Sequence, residues 1–125
     1  MENNKIILIV EDEVSLRDAL RDRLVHEGFT ALEARNGEEG LAVAIHEHPD
    51  LILLDIIMPV MDGMTMLQKL RQDPWGKDAR VIILTNVNEL EKVSQAVGEK
   101  AFDYIIKSDE KLKDVVAMVR QRLGV

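Results

Sequence analysis

The sequence contains no cysteine, and its positive charges are too few to balance its negative ones. Without cysteine, disulfide bonds, thiolate metal sites and cysteine nucleophiles are excluded. The 16 Lys and Arg residues stand against 23 Asp and Glu residues, for a formal net charge of −7. This balance argues against a general nucleic-acid surface, because neutralising phosphates needs clustered Lys and Arg, whereas an acidic surface attracts a basic partner. We expect no direct contact with nucleic acid.

Long apolar runs are also absent from the chain. No stretch approaches the roughly 20 apolar residues that a membrane-spanning helix needs. The first apolar run, at 6–10, is too short for the core of a signal peptide, and acidic residues follow it directly. We therefore expect a cytoplasmic protein with no membrane contact.

The organisation of the chain indicates one domain. No repeat, linker or low-complexity segment interrupts the 125 residues, of which 46% are hydrophobic, enough to fill one core. We expect a single domain at 1–125, with a flexible N-terminus at 1–4.

Five short apolar runs alternate with five longer amphipathic stretches. The runs predict strands at 6–10, 30–34, 51–54, 80–85 and 102–106. The amphipathic stretches predict helices at 13–26, 38–46, 64–72 and 88–99, and a last helix that Asp109 caps. This alternation predicts a doubly wound α/β fold, (βα)5, with a five-stranded parallel sheet and helices on both faces. The flavodoxin-like strand order 2-1-3-4-5 is the natural choice, and it puts a ligand site at the carboxyl ends of the strands.

Polar residues stand at those strand ends. They are Glu11 and Asp12 after the first strand, Asp55 after the third, Thr85 at the end of the fourth and Lys107 after the fifth. Each has a purely structural interpretation when taken alone, because a strand-end Asp often caps a helix and an acidic run suits a helix N-terminus. All five at one rim of one sheet favour a functional site.

The three carboxylates indicate a divalent metal. Carboxylates that lie close together repel one another and need a compensating cation to stay ionised. Mg²⁺ prefers oxygen ligands and takes only one or two protein carboxylates directly. We expect Asp12 and Asp55 to bind Mg²⁺ directly, with a backbone carbonyl just after Asp55, that of Ile57, while Glu11 acts through water.

The other two residues suit phosphoryl transfer. The protein's task in that chemistry is mainly to position groups and to neutralise charge on the phosphoryl oxygens. The Lys107 ammonium and the Thr85 hydroxyl would contact two of these oxygens, and Asp55 would attack the phosphorus in line. The predicted catalytic residues are thus Asp55, Thr85 and Lys107.

The stretch at 55–63, Asp-Ile-Ile-Met-Pro-Val-Met-Asp-Gly, resembles the response-regulator receiver family of two-component signalling. The resemblance extends from Lys5 to Leu123. Other positions that match the family's motifs are the metal-binding pair Glu11 and Asp12, the switch residue Thr85, the site lysine Lys107 and the aromatic switch residue Tyr104.

This resemblance implies a phosphorylation switch that turns over no metabolite. It implies phosphotransfer to Asp55 from a sensor histidine kinase or a histidine phosphotransfer protein, with Mg²⁺ as cofactor. Thr85 would then move toward the phosphoryl group and Tyr104 would turn inward. A downstream protein would read the face made by the predicted fourth helix, fifth strand and fifth helix.

Four positions depart from the family's usual pattern. In the family, Pro usually follows the site lysine in a cis peptide, and here Ser108 stands in its place. A cis bond without Pro costs about 3–4 kcal/mol, which favours a trans bond, so we expect the next loop to differ. Lys100 stands where Gly is often found. Ile57 and Val87 are apolar where polar residues are common, so an attacking water would be hindered and we expect a long-lived phosphoryl group.

Two other functions stay open. One is a pseudo-receiver that binds partners without phosphorylation, which the intact acidic set weighs against. The other is a phosphohydrolase of the haloacid-dehalogenase kind, which would need Asp at position 57 and a cap domain. The sequence is compatible with a complete single-domain regulator and with one domain of a longer chain. It does not identify the kinase, the target or the oligomeric state.

The histidines offer a different phosphate chemistry. His26, His46 and His48 have no clear partners in the sequence pattern, and we interpret them as surface residues. Trp75 is expected to cover a loop beneath the third helix.

Overall fold

The computed structural model of the chain describes residues 4–85, 103–106 and 112–125. The strands are β1 (Ile6–Val10), β2 (Thr30–Ala34), β3 (Leu51–Asp55), β4 (Val81–Thr85) and β5 (Asp103–Ile106). The helices are α1 (Val14–His26), α2 (Gly37–Glu47), α3 (Gly63–Arg71) and a C-terminal helix (Leu112–Leu123), with a 3-10 turn at Gly76–Asp78. The helix predicted at 88–99 lies outside the described residues. Within the described ranges, no helix combines the length and the apolar character that crossing a membrane would require.

The strands form one sheet in the order β2-β1-β3-β4-β5, and every neighbouring pair runs parallel. The predicted α/β fold with a parallel sheet is therefore confirmed. All five residues of β3 are buried, as its uninterrupted apolar sequence suggests for a strand that helices cover on both faces. The strand runs one residue further than expected, because Asp55 still pairs with Leu84 of β4.

Two hydrophobic layers enclose the sheet. One layer joins the sheet to α2 and α3 through Ala44, Met66, Leu67 and Leu70. The opposite layer joins it to α1 and the C-terminal helix, and its helical members are Leu20, Leu24, Val115, Val116, Val119 and Leu123. The core thus holds the sheet from both faces and leaves the strand ends to carry polar groups.

His48 and Trp75 stack on each other at the edge opposite the carboxyl ends of the strands. Their ring centroids lie 4.4 Å apart and their planes are 7° from parallel. All three histidines are exposed, as expected. His46 contacts the neighbouring Glu47 at 3.0 Å. His48 has a left-handed backbone at the end of α2, and residue spacing does not reveal its stack on Trp75.

Candidate functional site

The sheet register brings two acidic residues side by side. Val10 pairs with Leu54, so the next residues along the two strands, Glu11 and Asp55, end neighbouring strands. Glu11 is fully buried and Asp55 is 4% exposed. They are the two buried polar or charged residues among those that the structure describes. Because charge is costly to bury without compensation, this pair is a candidate functional site.

Asp12 completes an acidic cluster. Glu11, Asp12 and Asp55 each offer a carboxylate oxygen, and these oxygens lie within 4.8 Å of one another. Asp12 is exposed, whereas the other two are buried, so the cluster opens to solvent on the side of Asp12. The predicted convergence of these three residues is therefore what the structure has.

The cluster fits a hard divalent cation. Mg²⁺ holds oxygen ligands at about 2.1 Å, so oxygens on opposite sides of the ion lie about 4.2 Å apart. The observed limit of 4.8 Å is close to that span. Binding of one carboxylate through a water molecule would account for the difference between these two distances, since Mg²⁺ usually keeps several of its waters.

Backbone contacts hold Glu11 in place. Its N–H donates to the carbonyl of Ala34 at the end of β2, over 3.1 Å. Its carbonyl accepts a hydrogen bond of 2.9 Å from Nη1 of Arg17 on α1. Its Oε2 accepts from the N–H of Glu13 at 3.3 Å. Glu11 is thus held both by the neighbouring strand β2 and by the helix α1 that follows it.

The loop after Asp55 folds back tightly on that residue. The N–H of Gly63 donates to the carbonyl of Ile56 over 2.8 Å. A Cβ at position 63 would lie 2.0 Å from the Asp55 carbonyl oxygen, so only glycine fits there. Ile57, which the sequence assigns to the metal through its carbonyl, has a side chain that is 47% exposed. The required glycine explains why the motif ends as it does.

A strained turn lies within the same loop. Val60 has a φ of 69°, a left-handed value that β-branched residues rarely adopt. The N–H of Met61 donates to the carbonyl of Pro59 over 2.7 Å, which closes a three-residue turn of the rare positive-φ kind. The carbonyl of Met61 accepts a 2.8 Å hydrogen bond from the N–H of Gly37, so the start of α2 clamps the turn.

The remaining predicted site residues are described in part or not at all. Thr85 ends β4 directly after Leu84, the residue that pairs with Asp55. Thr85 pairs in turn with Ile106, the last residue of β5, and Tyr104 of β5 pairs with Ile83. Lys107 lies outside the described residues, as do Val87, Lys100 and Ser108. The roles assigned to the side chains of Thr85, Lys107 and Tyr104 stay predictions.

Two residues that support the cluster were not predicted from the sequence. Arg17 was assigned no role, although its position five residues after Asp12 on a helix puts it within one and a half turns of the site. Gly37 supports the loop after Asp55, because its N–H donates to the carbonyl of Met61. Neither contact has a local sequence signal, because each joins residues from different elements.

The chain is similar to known proteins in both sequence and structure. The chain matches the family model described as "Response regulator receiver domain" over residues 7–120. It is 36% identical to a probable transcriptional regulator, ycf27, of Cyanophora paradoxa, over 97% of this chain and 49% of the relative. It is 35% identical to the chemotaxis protein CheY of Halobacterium salinarum, over 86% of this chain and 88% of the relative.

Solved structures give the same result. The crystal structure of a putative response regulator from Chloroflexus aurantiacus superposes with a TM-score of 0.89 at 26% identity. The match covers 98% of this chain and 100% of that one. The chain spans about half the length of the first curated relatives that it matches, and nearly the whole length of the chemotaxis protein.

Proposed function

Because the chain belongs to the response regulator receiver domain family of two-component systems, we propose that Asp55 accepts a phosphoryl group and so switches the domain between two signalling states. One observation carries this proposal: Asp55 is buried beside Glu11, and both lie with Asp12 in a cluster whose oxygens are within 4.8 Å of one another. A buried carboxylate in such a cluster is a suitable nucleophile when a cation keeps it ionised.

The transfer forms one bond and breaks another. A carboxylate oxygen of Asp55 attacks the phosphorus of the donor, and a new P–O bond gives an aspartyl phosphate. The bond from phosphorus to the donor breaks, and its electron pair leaves with a histidine nitrogen of a sensor kinase or phosphotransfer protein, or with acetate. The reaction changes the signalling state of the domain, and it does not convert a metabolite into a released product.

Four groups are proposed to hold Mg²⁺. Asp12 and Asp55 bind it through their carboxylates, Ile57 through its carbonyl, and Glu11 through a water molecule. Bound Mg²⁺ supplies neutralisation of charge on the phosphoryl oxygens. The exposure of Asp12 would suit direct binding of an ion from solvent, and the buried Glu11 would act through a water molecule.

Thr85, Lys107 and Tyr104 are proposed to convert the chemistry into a signal. The Lys107 ammonium and the Thr85 hydroxyl hold phosphoryl oxygens, and Tyr104 takes up the space that Thr85 vacates. The backbone pairing of β4 with β5 supports this coupling, because it joins the strand of Thr85 to the strand of Tyr104. Phosphorylation would then shift the population between two states that already exist.

The partners are proposed to be proteins. We propose that a downstream target reads the face built from β5, the C-terminal helix and a further helix at 88–99, which would complete the (βα)5 unit. Direct binding to nucleic acid by this domain is disfavoured by the net charge of −7. The donor and the target are proposed to meet the domain in the cytoplasm. The match over residues 7–120 favours this function over the phosphohydrolase alternative.

Intact-mass spectrometry tests the proposal. The wild type, Asp55→Asn and Asp62→Asn are incubated with acetyl phosphate and Mg²⁺, and each mass is compared before and after. Asp62 is a matched control, because it is an exposed carboxylate in the same loop whose Oδ1 only caps α3 by accepting from Thr65. We expect the mass of one phosphoryl group to be added to the wild type and to Asp62→Asn, but not to Asp55→Asn.

Two outcomes would overturn the proposal. An equal gain in Asp55→Asn would place the phosphoryl group on another residue. No gain in the wild type, from acetyl phosphate or from a phosphorylated histidine phosphotransfer protein, would favour the pseudo-receiver alternative.

A further inference from the structure

Arg17 links the acidic cluster to the edge of the sheet. Its side chain is 12% exposed, which is low for an arginine at the first turns of a surface helix. Its Nε forms an ion pair of 3.1 Å with Oε2 of Glu33 on β2. Its Nη1 donates a hydrogen bond of 2.9 Å to the carbonyl of Glu11. One guanidinium therefore contacts a strand-borne carboxylate and the backbone of the acidic pair together.

This contact fixes a peptide group that belongs to the site. The carbonyl of Glu11 and the N–H of Asp12 share one planar peptide unit. The hydrogen bond to the carbonyl oxygen fixes the rotation of that peptide plane. The orientation of the plane in turn fixes the direction of the Asp12 side chain. The preceding peptide is held as well, because the N–H of Glu11 donates to Ala34 over 3.1 Å. Asp12 is itself exposed, and Arg17 reaches it from the helix side through the peptide that Asp12 shares with Glu11.

We propose that Arg17 is a positioning residue for divalent-cation binding: it orients Asp12 through the Glu11 carbonyl, and Glu33 holds Arg17 in place. The proposal rests on the function proposed for the Asp55 site. It does not require Arg17 to touch the cation or the phosphoryl group. Its rigid fork makes it suited to the task, because a guanidinium can donate to two acceptors in a fixed relative geometry.

Electrostatics and positioning predict opposite effects when Arg17 is replaced. Arg17 is a cation near a cation site, so by charge alone its removal would strengthen the binding of Mg²⁺. Loss of orientation at Asp12 would weaken that binding instead. The sign of the change in affinity therefore separates the two explanations.

Arg21 provides a matched control for charge. It lies one helical turn further along α1, and its Nη1 pairs with the other oxygen of Glu33 at 2.9 Å. Its further ion pairs are with Asp18 at 3.5 Å and Asp22 at 3.0 Å, both on the same helix. Arg21→Met thus removes one positive charge and one Glu33 contact, like Arg17→Met, and keeps the hydrogen bond to Glu11.

The test is a calorimetric titration of the unphosphorylated protein with Mg²⁺. We expect Arg17→Met to bind Mg²⁺ about 3- to 10-fold more weakly than the wild type, somewhat less than is usual for loss of a group that holds a metal ligand directly. We expect Arg21→Met to bind as tightly as the wild type or more tightly. Urea unfolding of each variant gives the folded fraction, so that the affinities refer to folded protein.

Phosphorylation provides a second readout. We expect the initial rate of Asp55 phosphorylation by acetyl phosphate in Arg17→Met to need several-fold more Mg²⁺ for half its maximum, with a similar maximum at saturation. Wild-type affinity for Mg²⁺ in Arg17→Met, or an equal loss in Arg21→Met, would overturn the role of Arg17 alone. Absence of Mg²⁺ binding in the wild type would overturn the proposed metal site, and the positioning role with it.

Discussion

The N–H of Gly37 donates a 2.8 Å hydrogen bond to the carbonyl of Met61, and this contact joins the start of α2 to the loop that follows Asp55. The approach is close because position 37 has no side chain. A Cβ there would lie 2.5 Å from the Met61 carbonyl oxygen and 2.9 Å from that of Asp62. Both obstacles are backbone atoms, so they cannot move aside as a flexible side chain would.

Gly37→Ala is therefore expected to destabilise the domain. The added methyl group must push the loop away from α2, and overpacking of this kind costs about 1–3 kcal/mol. Urea unfolding measures the loss. Glu38→Ala, an exposed change one residue further on, is the control and should alter the free energy of unfolding by about 0.5 kcal/mol or less. Equal stability of Gly37→Ala and the wild type would mean that the loop adapts without strain.

Replacing Val60 should stabilise the domain. Its φ of 69° costs a β-branched residue about 1–2 kcal/mol relative to the right-handed region. Its side chain is 76% exposed, so a substitution removes little buried surface. Val60→Asn, which tolerates the left-handed conformation, should raise the free energy of unfolding by about 1 kcal/mol in urea. Val14→Asn, at an exposed valine that begins α1, is the control and should bring no gain.

Much of the fold follows from local patterns that tertiary structure does not oppose. The apolar runs at 6–10 and 51–54 predict buried parallel strands. All of β3 is buried, and β1 is buried after its first residue. The site follows from the fold, because the carboxyl ends of adjacent parallel strands meet at one edge. Strand order and residue position are therefore enough to predict that Glu11 and Asp55 lie side by side, as they do.

Other features depend on contacts between distant segments. Valine has no preference for the left-handed φ found at position 60. Two hydrogen bonds of the next residue, Met61, impose it: its N–H donates to Pro59, and its carbonyl accepts from Gly37. Arg17 and Glu33 are 16 positions apart, and nothing in a chain rich in both residue types marks them as partners. Such pairings are decided by how α1 lies against β2, which periodicity alone does not specify.

Ile57 is expected to control how long the phosphoryl group survives. The residue is 47% exposed in the loop directly after Asp55. An apolar group at this position would obstruct a water that attacks the proposed aspartyl phosphate. Ile57→Gln supplies a polar group that can hold such a water, and should shorten the lifetime of the aspartyl phosphate several-fold. Loss of phosphoryl mass after removal of acetyl phosphate measures the lifetime.

The control for Ile57→Gln is Val60→Asn, which introduces a polar amide at another exposed aliphatic position of the same loop. It should leave the phosphoryl lifetime close to that of the wild type. A lifetime in Ile57→Gln equal to that of the wild type would show that water reaches the phosphoryl group without passing this side chain.

Asp12→Asn should have opposite effects on stability with and without Mg²⁺. Without the ion, the carboxylates of Glu11, Asp12 and Asp55 lie within 4.8 Å of one another and repel, so removing one charge should raise the free energy of unfolding. With the ion at ten times its dissociation constant, the wild type should gain about 1.4 kcal/mol from binding, and the variant much less. Thermal unfolding in EDTA and in Mg²⁺ measures both effects.

Asp62→Asn separates this result from a general effect of charge. Asp62 is an exposed carboxylate in the loop after Asp55, and asparagine can replace it as the cap of α3. This variant should gain as much stability from Mg²⁺ as the wild type does. Because Mg²⁺ in excess also screens surface charge, thermal unfolding in Na⁺ at matched ionic strength measures the part of the gain that is due to screening. Equal Mg²⁺-dependent gains in Asp12→Asn and Asp62→Asn would mean that the ion acts by screening and that the acidic cluster does not bind it.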